Sequence, residues 1–355
     1  MAIIMIKSKV DKKRGTWRNM NKKIDIKFIV MLIIIALIAS CSGTGESKDN
    51  IVKISDNGTA GQAPIYIALE EGYFEDQGVQ VELVAINRST EAIAAMIGGD
   101  IDVVTGGAGA SIINTIQVEE NIKVVADRGH ISKGHCTYMG VLVNLDLFES
   151  GKVAGPQDFV NYSIGGNSTG VSAYLMELYM NQAGLSLKDL NLSSIPPSSI
   201  EEALANQTIA AATFVAPRIS KAVNSGAGVL VAGLEDFVDD YQSSVLSFGK
   251  KLMLDNRELG VKFMAGYLLG VKQFNEGQTE RNLEIVSKYT QTPVEELEGT
   301  CWPLINNDGH INFETFADFQ DWSVQEGALE KAITEEEFWD SHFTEEAYKL
   351  ILKSN

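Results

Sequence analysis

The chain has 355 residues and a formal net charge of −18 at pH 7. Residues 1–40 hold nine Lys or Arg and two Asp or Glu, so the rest of the chain carries a net charge of about −25. A body this acidic argues against nucleic-acid binding and against a broad basic face for membrane docking. It does not exclude an anionic solute, because one helix N-terminus can bind an anion inside an acidic protein.

The first 40 residues have the features of an export signal. Lys22, Lys23 and Lys27 precede an unbroken apolar run from Phe28 to Ala39. A helix of that length measures only about 18 Å, whereas a membrane span needs roughly 20 residues. A basic flank, a short apolar run and small residues at its end are typical of a signal peptide. We therefore predict a signal peptide over residues 1–40.

The end of this segment, Ile38-Ala39-Ser40-Cys41, resembles the lipobox of bacterial lipoproteins. The resemblance implies that Cys41 carries lipid and becomes the first residue after cleavage. The alternative is an ordinary signal peptide with a chance cysteine. Met20 directly precedes the basic cluster and offers a second start for translation. Residues 42–50 contain no apolar side chain, so 41–50 is predicted to be a flexible tether.

The folded part begins with an alternation of apolar and polar residues over 51–54, which predicts a half-buried strand. A Gly/Pro loop follows, and Pro64 stands in the first turn of a predicted helix. Val79–Ile86 predicts the second strand, and the next helix is expected to be capped by Thr90.

The strand–helix alternation continues along the chain. Ile101–Thr105 predicts a short buried strand that ends in GGAGAS, followed by a helix over 111–118 and a strand over 122–127. Six further segments alternate in the same way: Asn161–Ile164, Ala173–Ala183, Leu190–Ile195, Ile200–Ala205, Ile209–Val215 and Val229–Ala232. Beyond Phe263 the pattern is mainly helical. Such alternation is typical of an α/β fold with mostly parallel sheets.

Six segments, in the same order, resemble those of one known family. They are QAPIYIALEEGYFEDQGVQVELV (62–84), GGDIDVVTGG (98–107), 127–153, GGNSTGVSAYLMELYMNQAGL (165–185), 201–223 and 306–327. The family is the nitrate/sulfonate/taurine and thiamine-pyrimidine solute-binding proteins of ABC importers. The resemblance covers essentially all of the chain from Ile51 to Leu352.

The resemblance implies a two-lobed periplasmic-binding-protein type II fold, with the ligand in a cleft between α/β lobes. Lobe 1 would comprise residues 51–137 plus 241–355, and lobe 2 residues 138–240. The glycine-rich strand ends at Gly106–Gly109 and Gly165–Gly170 would face each other across the cleft. This agrees with open α/β sheets in general, where ligands bind beyond the carboxyl ends of the strands. Hinge closure of two lobes would then enclose a small ligand.

Four candidate ligand contacts belong to lobe 1. Gln62 would offer an amide and Tyr66 a ring, unless both belong to a plain strand-to-helix turn with a buried tyrosine. Gly107 and Ala108 would let a ligand approach free backbone N–H groups, or serve only tight strand–helix packing. The thiamine-pyrimidine branch commonly has a His where Gln62 stands, which puts that ligand in doubt.

Four further candidates belong to lobe 2. Asn167, Ser168 and Thr169 stand at the start of a predicted helix, and the two hydroxyls would either contact the ligand or cap the helix. Arg218 would pair with an acidic ligand or remain solvated. The family often has Glu where this chain has Ala216, so that carboxylate is lost here.

The predicted crossing between the lobes supplies His135 and Tyr138, which would either line the cleft or belong to a plain loop. Two histidines and Cys136 lie close together, but their spacing matches no zinc pattern, so no metal site is predicted. After residue 41 the only cysteines are Cys136 and Cys301, which allows at most one disulfide. Trp302 is either a stacking wall over the cleft or a core anchor.

No nucleophile elbow, paired carboxylates or nucleotide loop stands out, so we predict a protein that is not an enzyme and needs no cofactor. The resemblance implies a monomeric, lipid-anchored solute-binding protein on the extracytoplasmic face of the membrane. It would deliver a small organic or anionic solute to the permease and ATPase subunits of an ABC importer. Two alternatives stay open: an enzyme of the pyrimidine-synthase-like branch, whose Cys/His-rich iron motif is missing here, and a sensor-coupled ligand receptor.

Overall fold

A computed structural model describes residues 50–86, 88–196 and 199–354. Two five-stranded sheets form its frame. The predicted signal peptide and nearly all of the predicted tether, Cys41 included, lie outside the described residues. Within the described ranges, no helix is both long enough and apolar enough to cross a membrane.

The first sheet has the strand order β2-β1-β3-β10-β4. β1 pairs in parallel with β2 and β3, whereas β10 is antiparallel to both of its neighbours. The strands are β1 (Ile51–Asp56), β2 (Gln80–Ala85), β3 (Val103–Gly107), β4 (Lys123–Ile131) and β10 (Tyr241–Phe248). The helices between its first four strands are α1 (Ala63–Glu70), α2 (Tyr73–Asp76), α3 (Ser89–Gly98) and α4 (Ala110–Val118).

The second sheet repeats this plan in the order β7-β6-β8-β5-β9. β6 is parallel to β7 and β8, and β5 is antiparallel to β8 and β9. The strands are β5 (Met139–Asn144), β6 (Ser163–Gly165), β7 (Asn191–Ser193), β8 (Ala211–Val215) and β9 (Gly228–Gly233). Its helices are α5 (Leu145–Glu149), α6 (Val171–Asn181), α7 (Ile200–Ala205) and α8 (Arg218–Asn224).

The remaining chain is helical, as predicted. It forms α9 (Arg257–Phe274), α10 (Glu280–Thr290), α11 (Val294–Leu297), α12 (Ala317–Gln325), α13 (Glu335–Phe338) and α14 (His342–Ser354). α9 packs against α1 and α14. Its buried Phe263, Tyr267 and Val271 recur at the spacing of one helix face, which explains why this segment is a helix with a core-facing side.

Each sheet has four strands in one direction and one strand, β10 or β5, in the other, so the prediction of mostly parallel sheets is confirmed. The two reversed strands are also the two that the sequence pattern did not identify. Every residue of both is buried, so neither shows the alternation of a half-buried strand. Each is the first strand after the chain passes from one sheet to the other.

The strands of the first sheet lie within 51–131 and 241–248, and those of the second within 139–233. Residues 132–138 and 234–240 are therefore the two crossing segments. The lobe boundaries at 137/138 and 240/241 remain a prediction.

The hydrophobic core is continuous between the sheets. Tyr174 of α6 lies 6.0 Å, centroid to centroid, from Tyr241 of β10 and 5.4 Å from Trp322 of α12. All three belong to one buried cluster that also includes residues of both sheets. Aromatic packing thus joins the second sheet's longest helix to the first sheet.

Cys136 and Cys301 form a disulfide, with Cα atoms 5.5 Å apart. The bridge connects the first crossing segment to the loop between α11 and α12. The two cysteines are 165 positions apart in the sequence, so the bridge joins parts of the chain that are remote from each other in sequence.

Candidate functional site

A cavity of about 280 Å³ lies where the carboxyl end of β3 meets the start of α6. Three helices, α3, α4 and α6, contribute residues of their first turns to it. β10 contributes Ser243, Val245 and Ser247. Met139, the first residue of β5, lines the cavity from the second sheet. The cavity is therefore built from both sheets.

None of these three helices has a side-chain cap. The residues at their N-cap positions are Arg88 before α3, Gly109 before α4 and Gly170 before α6. No side chain of these residues forms a capping hydrogen bond. The first N–H groups of a helix lack partners within it, and the helix dipole places positive potential there. Three such ends at one cavity favour a hydrogen-bond acceptor or an anionic group.

The cavity lining combines hydroxyls with apolar side chains. The hydroxyls are those of Ser89, Ser111, Thr169, Ser172, Ser243 and Ser247. The apolar residues are Ile93, Val104, Ile112, Met139, Val171 and Val245. No charged side chain lines the cavity among the described residues. Such a lining suits a small solute with an apolar part and an accepting polar group.

The two glycine-rich segments lie against each other at this cavity. A β-carbon added at Gly109 would lie 3.9 Å from the Cα of Gly170, so the backbones before α4 and α6 approach closely. Gly170 has φ +87°, a left-handed conformation that favours glycine. A side chain on either glycine would narrow the space between the sheets.

Of the eleven candidate contacts, Gly107 and Thr169 line the cavity. Ala108 is buried beside them, and its N–H donates to the carbonyl of Ser243 at 3.0 Å. Ser168 is exposed outside the lining. Asn167 is also exposed, and its Oδ1 accepts from Ser194 Oγ at 3.2 Å.

The predicted cap of α3 at Thr90 is wrong, and of the two alternatives for Ser168 and Thr169 the structure does not support helix capping. α6 begins at Val171 after Gly170, so neither Ser168 nor Thr169 is at the N-cap position. α3 begins at Ser89, which places Thr90 inside the helix. In both cases the residue at the cap position is another one, Arg88 before α3 and Gly170 before α6, because each helix begins two residues earlier than the sequence pattern suggests.

Gln62 and Tyr66 are fully buried around Asp56 at the end of β1. Tyr66 Oη donates to Asp56 Oδ1 at 2.6 Å, and Gln62 Nε2 donates to the same oxygen at 3.0 Å. The Tyr66 ring stacks on Tyr289 with centroids 4.7 Å apart. Burial, reinforced by Asp56, raises the pKa of Tyr66 far above its usual value. The arrangement matches the alternative of a buried tyrosine in a strand-to-helix turn.

Arg218 and Trp302 also have partners within the protein. Arg218 Nε lies 3.6 Å from a carboxylate oxygen of Glu201. Trp302 is buried in the core and stacks on Phe274 with centroids 5.0 Å apart, in agreement with the core-anchor alternative.

His135 of the first crossing segment lies next to the disulfide. His135 is exposed, and its Nε2 lies 3.0 Å from the carbonyl oxygen of Trp302. His135, Cys136 and Cys301 are the only described group with the spacing of metal ligands. Because the two cysteines form the disulfide, their sulfurs are not available as thiolate ligands.

Asp127 and Arg128, two buried charged residues of β4, were not among the candidates predicted from the sequence. Asp127 accepts from the N–H of Gly129 at 2.7 Å, Gln242 Nε2 at 2.8 Å and the N–H of Asn306 at 2.8 Å, and it lies 2.9 Å from His130 Nδ1. It thereby ties β4 to β10 and to the C-terminal region. Opposite charges side by side in an otherwise buried strand were the available signal.

The family model described as NMT1/THI5 like matches residues 59–280. No curated protein matches the chain. The fold is similar to the ligand-binding component of an ABC-type import system from Staphylococcus aureus, at 15% identity, TM-score 0.69 and coverage of 84% of this chain and 99% of that one. It is also similar to the nitrate-binding protein NrtA from Synechocystis PCC 6803, at 12% identity, TM-score 0.69 and coverage of 85% and 89%.

Two further solved structures share the fold. The aliphatic sulphonate binding protein SsuA from Escherichia coli is similar at 16% identity and TM-score 0.66, with 83% of this chain and 99% of that chain covered. The desulfurization enzyme DSZB is similar at 11% identity and TM-score 0.63, with 85% and 99% covered. At such identities the likeness establishes the fold alone. The predicted fold, the two-sheet α/β fold of periplasmic binding proteins, is confirmed.

Proposed function

Because the chain belongs to the NMT1/THI5-like family, we propose that it captures a small organic or anionic solute in the cavity between β3 and α6. It then delivers the solute to the permease and ATPase subunits of an ABC importer. One observation carries the proposal: three uncapped helix starts meet at a cavity with six hydroxyls and no charged side chain. The solute-binding proteins among its structural relatives support it.

The size of the cavity limits the solute. Pockets for drug-sized ligands are roughly 300–1,000 Å³, and this cavity is about 280 Å³. A solute of only several non-hydrogen atoms would therefore fill it. Such a solute gains little from apolar area alone, so oriented N–H and hydroxyl donors would supply much of the binding energy.

The cavity is poorly equipped for catalysis. Its described lining contains no carboxylate, imidazole or thiol, so a serine there has no adjacent general base. A binding function needs none of these groups. This distinguishes the proposal from the enzymatic chemistry that one structural relative, the desulfurization enzyme, performs.

Attachment to the membrane completes the proposal. Lipid on Cys41 would hold the monomer on the extracytoplasmic face, with residues 41–50 as the tether. The sequence Ile38-Ala39-Ser40-Cys41 supports this part. An anchored binding protein stays near its transporter, which raises the effective concentration of loaded protein at the permease.

A thermal-shift screen tests solute binding by the full chain. The panel contains nitrate, short alkanesulfonates, small aromatic acids and uncharged heteroaromatic compounds. A solute at 100 times its Kd adds about 2.7 kcal/mol to the stability of the folded state, so a true ligand raises Tm. Failure of every class of solute to raise Tm would contradict the proposal.

A further inference from the structure

Arg128 is a buried cation without a partner in the part of the chain that the structure describes. Only 6% of the residue is exposed, and its Nε is buried with no hydrogen bond. No ion pair of Arg128 occurs among the described residues. A buried charge destabilises a folded protein unless an opposite charge or hydrogen bonds compensate it.

The neighbouring carboxylates are already occupied. Both oxygens of Asp127 accept hydrogen bonds from β4, β10 and the C-terminal region. Asp56 Oδ1 accepts from Gln62, Tyr66 and the N–H of Gly58. Neither acid forms an ion pair or a hydrogen bond with the Arg128 guanidinium among the described residues.

A β-bulge sets the position of Arg128. Val245 of β10 pairs with Asp127 and the adjacent Ser244 pairs with Gly129, so Arg128 is the extra residue on β4. Bulges redirect a side chain and are common beside functional sites. The next irregularity leaves Ser243 as the extra residue on β10, and Ser243 lines the cavity. The bulged region therefore adjoins the proposed solute site.

The Tyr138 hydroxyl and the Arg128 guanidinium both lie close to Gly61. A β-carbon added at Gly61 would lie 2.9 Å from Tyr138 Oη and 3.1 Å from Arg128 Nη2. Tyr138 is half-buried, and Met139 next to it lines the cavity. Gly61 belongs to the loop after β1, at the carboxyl end of the sheet. Ligands of α/β sheets bind at this edge.

We propose that Arg128 and Tyr138 form an oxyanion subsite, which holds a carboxylate, sulfonate or nitrate group of the solute. The inference rests on the proposed solute-binding function and narrows its ligand to an oxyanion. The guanidinium supplies two parallel N–H donors that match two oxygens of such a group, and the hydroxyl supplies a third donor. Binding of the anion compensates the buried charge.

The test compares wild type with Arg128→Met and with Lys152→Met, which removes a positive charge from an exposed position. The probes are nitrate, methanesulfonate and acetate, with methanesulfonamide and acetamide as uncharged analogues. At least one oxyanion should bind wild type in calorimetry. Arg128→Met should raise its Kd by about 10- to 100-fold, because a hydrogen-bonded charge is lost. Lys152→Met should bind as wild type does.

A second readout separates this role from a structural one. Without solute, Arg128→Met should have a higher Tm than wild type, because it removes an uncompensated buried charge. A lower Tm with an unchanged Kd would show that Arg128 is structural and overturn the proposal. If Arg128→Met fails to fold, Arg128→Lys and Tyr138→Phe carry the same Kd comparison, and unchanged Kd in both overturns it.

Binding of uncharged probes alone by wild type would overturn the oxyanion subsite and leave the proposed solute-binding function standing. Binding of no probe, together with failure of the wider solute screen, would contradict both.

Discussion

The candidate solute contacts were predicted from residue type, but the packing around each side chain decides whether it is free to contact a solute. Tyr66 and Trp302 combine an apolar ring with a polar end, so they suit a ligand wall and a protein core equally well. In the structure, Asp56 binds the Tyr66 hydroxyl and Phe274 covers the Trp302 ring. The charge of Arg128 is visible in the sequence, but the bulge in the pairing of β4 with β10 that sets its position is not.

At this scale we predict that Tyr66→Phe weakens the fold and leaves solute binding unchanged. The substitution removes one buried hydrogen bond to Asp56 and should lower the free energy of unfolding by about 1 kcal/mol in urea titrations. Tyr348→Phe, at a half-exposed ring on α14, is the control and should change neither quantity. A higher Kd with an unchanged free energy of unfolding would show that Tyr66 contacts the solute.

Thr169 and Ser168 are adjacent in sequence, so substituting each in turn tests whether a residue must line the cavity to affect solute binding. Thr169 lines the cavity and Ser168 does not. Thr169→Val should therefore raise the solute Kd, by roughly 5- to 150-fold if its hydroxyl bonds the solute in the closed cavity. Ser168→Ala should bind normally, as measured by calorimetry. Neither should lower Tm, because neither residue caps α6; a fall in Tm in either variant would contradict that assignment.

Among the elements, those with a clear period were predicted and those without one were not. The helix at Ile200–Ala205 has the predicted bounds, and β1, β2 and β3 lie within two residues or so of the predicted strands. β5 and β10 were missed because burial on both faces removes the alternation that reveals a strand. Helix starts at α3 and α6 were misplaced, since small polar residues near them are not at the capping position.

The disulfide provides a prediction about the crossing segment. Reduction, or the double substitution Cys136→Ala with Cys301→Ala, should destabilise the fold by about 2–5 kcal/mol, because the bridge restricts a long loop in the unfolded chain. Thermal unfolding with and without reductant measures the effect. The double variant should unfold at one Tm in both conditions. An equal Tm for oxidised and reduced wild type would contradict a stabilising bridge.

At the scale of the whole molecule, the fold was predictable and the cavity was not. Alternating strands and helices indicate an α/β fold, and the six ordered segments indicate the family. The cavity requires β3 and α4 from the first sheet together with Met139 and α6 from the second. These parts are remote in sequence, so only the packing of the two sheets brings them together.

Membrane attachment is the prediction that concerns the chain as a whole. Cys41→Ala should abolish lipid modification, and the protein should leave the membrane fraction or remain unprocessed. Fractionation of cells followed by mass spectrometry of the N-terminus measures both. Thr44→Ala is a suitable control, because it changes a residue of the predicted tether without touching the proposed lipidation position. Normal processing and membrane retention of Cys41→Ala would contradict the anchor.

The most direct test of solute binding in this cavity is calorimetry of a full-length variant whose added side chain fills the cavity. Gly107 lines the cavity, and an added β-carbon there would meet only the Ser243 carbonyl, at 3.7 Å. Gly107→Leu should therefore fold normally and lose measurable binding of the strongest solute from the screen. Gly98→Leu, at an exposed position of α3, should keep the wild-type Kd. A folded Gly107→Leu protein with the wild-type Kd would contradict binding in this cavity.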